Sequence, residues 1–186
     1  LKENGSNNFV LALGSGAKLN NNGKTLTIPM AIEESSVVAA AANAAKFWAT
    51  KGGFQARILG TEKVGQVHFI FEGNPNTLQT FFSTHKTTLL QSTDSITKNM
   101  RARGGGITSL KLLDKTTLLD GYFQLDVRFD TKDSMGANFI NSCLEQLAKT
   151  LRELAAQYAD FSENEKAIEV VMSILSNHVP NCLVEA

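Results

Sequence analysis

Val64-Gly65-Gln66-Val67-His68-Phe69-Ile70-Phe71, followed directly by Glu72-Gly73-Asn74-Pro75, is the stretch on which the fold turns. Val67, Phe69 and Phe71 alternate with Gln66 and His68, the period of a half-buried strand. Asn74-Pro75 then opens a helix, because proline fits the first helical position, where its missing N–H costs nothing. Leu78, Phe81, Phe82 and Leu89 recur along it at helical spacing. Asp94 can cap a second short helix carrying Ile96 and Met100, and Gly104-Gly105-Gly106 breaks it. Residues 107–113 and 122–129 read as two strands joined by a turn around Asp120-Gly121. Residues 134–158 form a long amphipathic helix with Phe139, Ile140, Cys143, Leu144, Leu147, Leu151, Leu154 and Tyr158 on one side, and residues 168–175 a last strand. With the two helical pieces counted as one unit the order is β-α-β-β-α-β, the ferredoxin-like arrangement of the α+β class, over residues 55–176.

The flanks differ in texture. Residues 1–24 are rich in Asn and Gly and read as loop with short extended pieces. Residues 25–30 are a short strand, with Pro29 near its end. Residues 33–51 form a helix that Ser35 or Ser36 can cap and Gly52-Gly53 stops. Its body, residues 37–45, is apolar nearly all round, so it is expected to be the buried central helix of a larger α/β domain. Residues 1–54 and 177–186 would belong to that second, incomplete domain.

Bulk properties narrow the class. An apolar fraction of 42% with 19% charged residues fits a globular protein. Eighteen basic residues balance eighteen acidic ones, so no net positive field recruits nucleic acid or an anionic membrane. The longest apolar stretch, residues 37–42, is far too short to span a bilayer. Cys143 and Cys182 form no metal or redox spacing, no metal site is expected, and a cytoplasmic location is the default. His68, His85 and His178 are scattered, and His68, alternating with apolar residues, reads as structural. The absence of a charged leader argues against a signal peptide. Leu1 is not a start methionine and the chain stops a few residues after a strand, so both ends read as cut.

Two stretches carry chemistry. In Pro29-Met30-Ala31-Ile32-Glu33-Glu34-Ser35-Ser36-Val37-Val38-Ala39-Ala40-Ala41 a carboxylate pair sits where a strand hands over to a helix. Spacing alone favours simple complementation of the helix dipole, although a buried first turn would require a reason for a carboxylate. In Asp130-Thr131-Lys132-Asp133-Ser134-Met135-Gly136-Ala137-Asn138 a helix opens directly after a strand. Its free N–H groups suit an anion such as a phosphate. Gly136 has no role as a cap there and points to close approach of a ligand or helix. The equally weighted alternative makes Asp133 the cap and Gly136 a packing contact.

These residues, with Gly52-Gly53-Phe54 and Gly104-Gly105-Gly106 between them, resemble the hydroxymethylglutaryl-CoA reductases, specifically their second, mostly bacterial class. The motifs occur in the family's order with nearly ungapped spacing. The resemblance implies an oxidoreductase of the mevalonate (isoprenoid precursor) pathway that reduces the hydroxymethylglutaryl-CoA thioester to mevalonate and free CoA with two hydrides from NADPH or NADH. It implies that residues 1–54 are part of a large substrate and dimerisation domain, residues 55–176 a ferredoxin-like nicotinamide-cofactor domain, and residues 177–186 a return to the large domain. Glu34 falls on the catalytic glutamate, Ser36 near the acyl-group pocket, and Asp133, Met135, Gly136 and Asn138 on the segment lining the cofactor site. Glu34 must then carry a proton for part of the cycle, which burial would have to favour against the helix dipole. Glu3-Asn4 falls on a substrate-side motif whose following Gly is Asn7 here, and Ala12 and Ser35 stand where the family usually has Pro. The resemblance also implies a homodimer or higher form. No residue here matches the family's catalytic lysine, aspartate or histidine, so the isolated chain is expected to be inactive. Counting back from Gly104 puts the ribose-facing position near Thr97, with Lys98 and Arg101 close by, which favours NADPH. The rival reading is a diverged, non-catalytic relative that binds nucleotide or only assembles.

Overall fold

Phe123, Leu125, Val127 and Phe129 are buried to 2% exposure or less, and they alternate with Tyr122, Gln124, Asp126 and Arg128 along one strand. That two-residue period decides what lies on each side of the sheet. The computed structural model describes residues 11, 13–32 and 34–186. Its elements are β1 (Leu13–Asn21), β2 (Lys24–Ala31), α1 (Ser35–Ala49), β3 (Arg57–Ile70), α2 (Pro75–Ser92), α3 (Asp94–Ala102), β4 (Gly106–Asp114), β5 (Tyr122–Asp130), α4 (Ala137–Gln157), α5 (Glu163–Lys166), β6 (Glu169–Leu175) and β7 (Cys182–Glu185). The chain is a mixed α and β protein in two units, one running to Ile58 with Val184–Ala186, the other Leu59–Leu183.

In the second unit the strand order is β4-β5-β3-β6, with each of these neighbours antiparallel, and β7 also pairs with β3. Helices α2 and α4 pack on one face of this sheet. Leu78, Phe81, Phe82 and Leu89 from α2 and Ile140, Cys143, Leu144, Leu147 and Leu151 from α4 join Val67, Phe69 and the inner row of β5 in a single core. Gly65 lets α4 approach closely: a Cβ there would lie 2.7 Å from Leu144 Cδ1 and 2.9 Å from Ile140 Cγ2. Asn74 caps α2, its side chain accepting from the Asn76 N–H at 2.9 Å, with Pro75 at the first helical position as expected. Asp94 lies in the first turn of α3 rather than at its cap, which is Thr93.

On the opposite face β3 and β5 carry polar side chains, while Met172 and Ile174 of β6 lie exposed beside them. Tyr122 Oη and His68 Nδ1 are 2.6 Å apart and Gln124 Nε2 donates to the same Tyr122 hydroxyl. Asp126 accepts two hydrogen bonds from Arg128, at 2.7 and 3.2 Å. His68 is thus held in a strand network, and its burial pulls its pKa below the usual imidazole value. Cys143 is fully buried and burial pushes its thiol up to about 12, which fits packing rather than reactivity.

In the first unit β1 and β2 form a hairpin closed by Asn22-Gly23, both at positive φ (50° and 76°). This is the backbone that Asn-Gly favours in a two-residue turn. The nine-residue strand β1 replaces the loop with short extended pieces expected there. Asn22 exchanges two hydrogen bonds with Ala56, both 2.9 Å, and the Phe54 N–H donates to Asn20 O at 2.8 Å. Gly53 makes that approach possible, since a Cβ would lie 2.6 Å from Asn20 O. Helix α1 departs from expectation in two ways. It begins at Ser35 with Glu34 at the N-cap, so neither serine is the cap. It is also not a buried central helix: Ala45 is its one buried residue, while Phe47 and Trp48 are 54% and 45% exposed. Within this unit Val38 meets the hairpin at Gly14, which covers one stripe of α1 and leaves its other apolar faces open.

Candidate functional site

The segment between β5 and α4 is a built turn, not the first turn of a helix. Helix α4 was expected from residue 134 but begins at Ala137, with Gly136 at its N-cap in the left-handed region, φ +76°. Two side chains explain the delay. Asp130 accepts from the Lys132 N–H at 2.9 Å and from Lys132 Nζ at 2.8 Å, holding Lys132 at φ +52°. Thr131, 1% exposed, donates its hydroxyl to Ser134 O at 2.7 Å, while Ser134 Oγ donates back to Thr131 O at 2.8 Å. Such local side-chain bonds offer the backbone an alternative to helix. Lys63 on β3 reaches across, donating to Thr131 Oγ1 at 2.9 Å and to Ser134 O at 3.4 Å.

Gly136 is thus a packing contact, one of the uses weighed for it, and it is also the N-cap of α4, a role the sequence reading denied it. A Cβ there would lie 2.5 Å from Thr131 Cγ2. Asp133 is not the cap: no side chain caps α4, and its first-turn N–H groups are left for a ligand or water. Asp133, Met135 and Asn138 are exposed, Met135 to 75%. Met135 and Ala137 line a cavity of about 150 Å³ with Lys63, Ile140, Leu175 and Val179.

The glycine run meets this turn. Gly106 pairs in register with Asp130, and a Cβ on Gly105 would lie 2.4 Å from Asp130 O. Gly104, at φ +79°, faces Lys132, whose Cε would be 3.6 Å from a Cβ there. Two segments well separated in sequence thus share one corner of the second unit. Beyond it Asp94, Thr97, Arg101 and Ile107 line a cavity of about 390 Å³. Thr97 is buried and donates to Thr93 O at 3.0 Å, while Arg101 and Asp94 form an exposed ion pair at 3.0 Å. Lys63 was not singled out from the sequence, and Asp130 and Thr131 appeared only as the start of the stretch, with no role of their own. Their role depends on a contact spanning 68 residues, and only the Asp-Thr pair at a strand end hints at it.

The remaining candidates lie in the first unit. Glu34 is exposed, and its Oε1 accepts from Ser36 Oγ at 2.5 Å. Ser36 is exposed as well, so the two form a local pair at the start of α1. The expected burial of this first turn is not found. Glu33, Glu3, Asn4, Asn7 and Ala12 lie outside the described residues. Among the described residues no group of three or more His, Cys, Asp or Glu side chains could hold a metal ion, and no helix is long and apolar enough to cross a membrane.

Sequence and structure comparisons agree with these motifs. The hydroxymethylglutaryl-coenzyme A reductase family model matches residues 2–186, and the chain belongs to that family. It is 32% identical over 152 residues to the 3-hydroxy-3-methylglutaryl-coenzyme A reductase of Archaeoglobus fulgidus, covering 82% of this chain and 35% of that protein. It is 30% identical over 174 residues to the probable enzyme of Borreliella burgdorferi, covering 94% and 36%. The structure resembles the class II 3-hydroxy-3-methylglutaryl-CoA reductase of Streptococcus pneumoniae bound to NADPH in open conformations, with a TM-score of 0.79 at 31% identity, over 99% of this chain and 42% of that one. The chain thus spans about a third of the length of these curated relatives.

Asp130 supplies a pH test of the turn. The hydrogen bonds from Lys132 hold its carboxyl below the usual carboxylate range. A depressed carboxyl stabilises the fold above its unfolded value, and that contribution is lost as pH falls through its folded value. Asp130→Asn should therefore lower the urea midpoint near neutral pH. The deficit should shrink once pH falls below about 4, the unfolded value. A deficit independent of pH would show that the charge is not what holds the turn.

Proposed function

We propose that this chain is the cofactor-binding part, with a piece of the substrate part, of an NAD(P)H-dependent hydroxymethylglutaryl-CoA reductase. The whole enzyme would take hydroxymethylglutaryl-CoA to mevalonate and CoA in the mevalonate pathway. The observation that carries this reading is the convergence of Gly104-Gly105-Gly106 with the Asp130-to-Asn138 turn at the uncapped start of α4. Free N–H groups at a helix start, a left-handed glycine and a neighbouring ammonium suit a phosphate-bearing ligand. Those residues fit a nicotinamide dinucleotide, which would supply the hydride. The chain's part is to bind and orient it.

In this reading the β4-β5-β3-β6 sheet with α2, α3 and α4 is a ferredoxin-like cofactor domain over residues 55–176. Residues 1–54 and 177–186 belong to the larger substrate and dimerisation domain. Asp133, Met135, Gly136 and Asn138 contact the cofactor, Ser36 borders the acyl group, and Glu34 moves protons at the carbonyl oxygen. The close Ser36–Glu34 hydrogen bond supports a shared site for the last two. Cytoplasmic location is part of the same proposal.

Three measurements test it. In an enzyme holding this segment together with the rest of the family's fold, Glu34→Gln should cut turnover by roughly 10²-fold or more, as loss of a general acid does, with Glu33→Gln as the milder control. Turnover within a few-fold of wild type would remove Glu34 from the chemistry. NADPH should bind the chain more tightly than NADH, because Arg101 can exchange its exposed Asp94 partner for a 2′-phosphate. Arg101→Ala should abolish the difference, and equal affinity in the wild type would overturn the preference. The exposed Phe47 and Trp48 on α1 support a homodimer or higher form. A monomer by light scattering at micromolar concentration would count against it.

A further inference from the structure

We propose that Lys63 and Thr131 are positioning residues for the cofactor turn. They set the shape in which Asp133 to Asn138 meet the ligand, and neither touches it. This rests on the cofactor reading above.

Thr131 is the hub of the turn. Its side chain is buried, its hydroxyl accepts from Lys63 Nζ and donates to Ser134 O, and its methyl occupies the space a Cβ on Gly136 would need. One side chain therefore fixes both the carbonyl three residues on and the left-handed glycine five residues on. Lys63 is half-buried on β3, opposite Phe129, and directs two N–H groups at the same two oxygens. Its ammonium is committed inside the turn and pins it to the sheet. The exposed residues of the turn have no comparable anchor: among the described residues Asp133 and Met135 make no side-chain hydrogen bond, and Met135 is largely in solvent. Their placement thus depends on Thr131 and Lys63. A group that positions without contact changes affinity through the population of the competent shape. A cation that touches a phosphate also changes the salt dependence of binding.

The test titrates NADPH, followed by nicotinamide fluorescence, into the 186-residue chain at several salt concentrations. Thr131→Val keeps the branched shape and removes the hydroxyl, and should weaken binding roughly 10-fold. Thr131→Ser restores the hydroxyl and should remain within about 3-fold of wild type. Lys63→Met should weaken binding by a similar factor with the wild-type salt slope. Thr131→Val binding as tightly as wild type overturns the role of Thr131. A shallower salt slope for Lys63→Met makes Lys63 a direct contact and overturns its positioning role. Hydrogen exchange of the Ser134 and Gly136 amides gives a readout independent of the ligand. It should quicken roughly 10-fold in Thr131→Val and not in Thr131→Ser. Failure of the wild-type chain to bind NADPH would sink the cofactor reading, and unchanged exchange would separately sink the positioning claim.

Discussion

Removal of the inner row of β5 from water is the constraint on which the second unit depends. Phe123, Leu125, Val127 and Phe129 are each buried to 2% exposure or less. Side chains of this kind contribute about 1.5–3 kcal/mol apiece on burial. Because strand side chains alternate, burying this row turns Tyr122, Gln124, Asp126 and Arg128 to the other face. A slip of one residue would put four charged or polar groups into the core. Register is thereby fixed along the whole strand, and with it the position of its last residue. Asp130 ends β5 opposite Gly106 and Glu62, and Thr131 follows as a buried side chain just past the sheet.

From there the local chemistry follows. Asp130 finds the Lys132 N–H and ammonium within reach, and Thr131 finds the Ser134 carbonyl. Both bonds favour a turn over a helix, so α4 starts late and without a side-chain cap. Gly136 is required twice at that point, for its left-handed backbone and for the missing Cβ that Thr131 would otherwise strike. Gly105 has a related role, since a Cβ there would lie 2.4 Å from Asp130 O, where the start of β4 meets the end of β5. A corner with free N–H groups is thus a by-product of two strands ending together.

Periodicity made most of the second unit legible. Strand and helix spacing located β3 through β6, α2 and α4, and Asn74-Pro75 located a helix start to the residue. The start of α4 was not legible, because it is decided by Thr131 and Ser134 bonding across three residues and by Lys63 arriving from another strand. The exposure of α1 was not legible either. An apolar composition says that a helix seeks cover, but not which surface provides it. Strand β1 was hidden by its asparagines, although Asn22-Gly23 was a usable hairpin signal. The candidate site was located by the order of several short motifs rather than by any one of them. Taken alone, Glu33-Glu34 at a helix start and an Asp-rich turn both have ordinary structural explanations.

The two candidate stretches, one in each unit, differ in how far they are prepared. The turn at residues 130–136 is held by Asp130, Thr131, Lys132, Ser134 and Lys63, partners that all belong to the second unit, so its shape does not depend on a ligand. Preorganised donors of that kind stabilise charge without reorganising when it appears. Glu34 is in a different condition. Its hydrogen bond to Ser36 is local, both side chains are open to water, and the helix behind them exposes Phe47 and Trp48. A carboxyl that is to hold a proton and release it needs water excluded around it. The first unit, taken by itself, does not exclude water there. On the proposed reading, cofactor binding is a property of the second unit alone, and the proton transfer proposed for Glu34 would require apolar surface to be brought against α1.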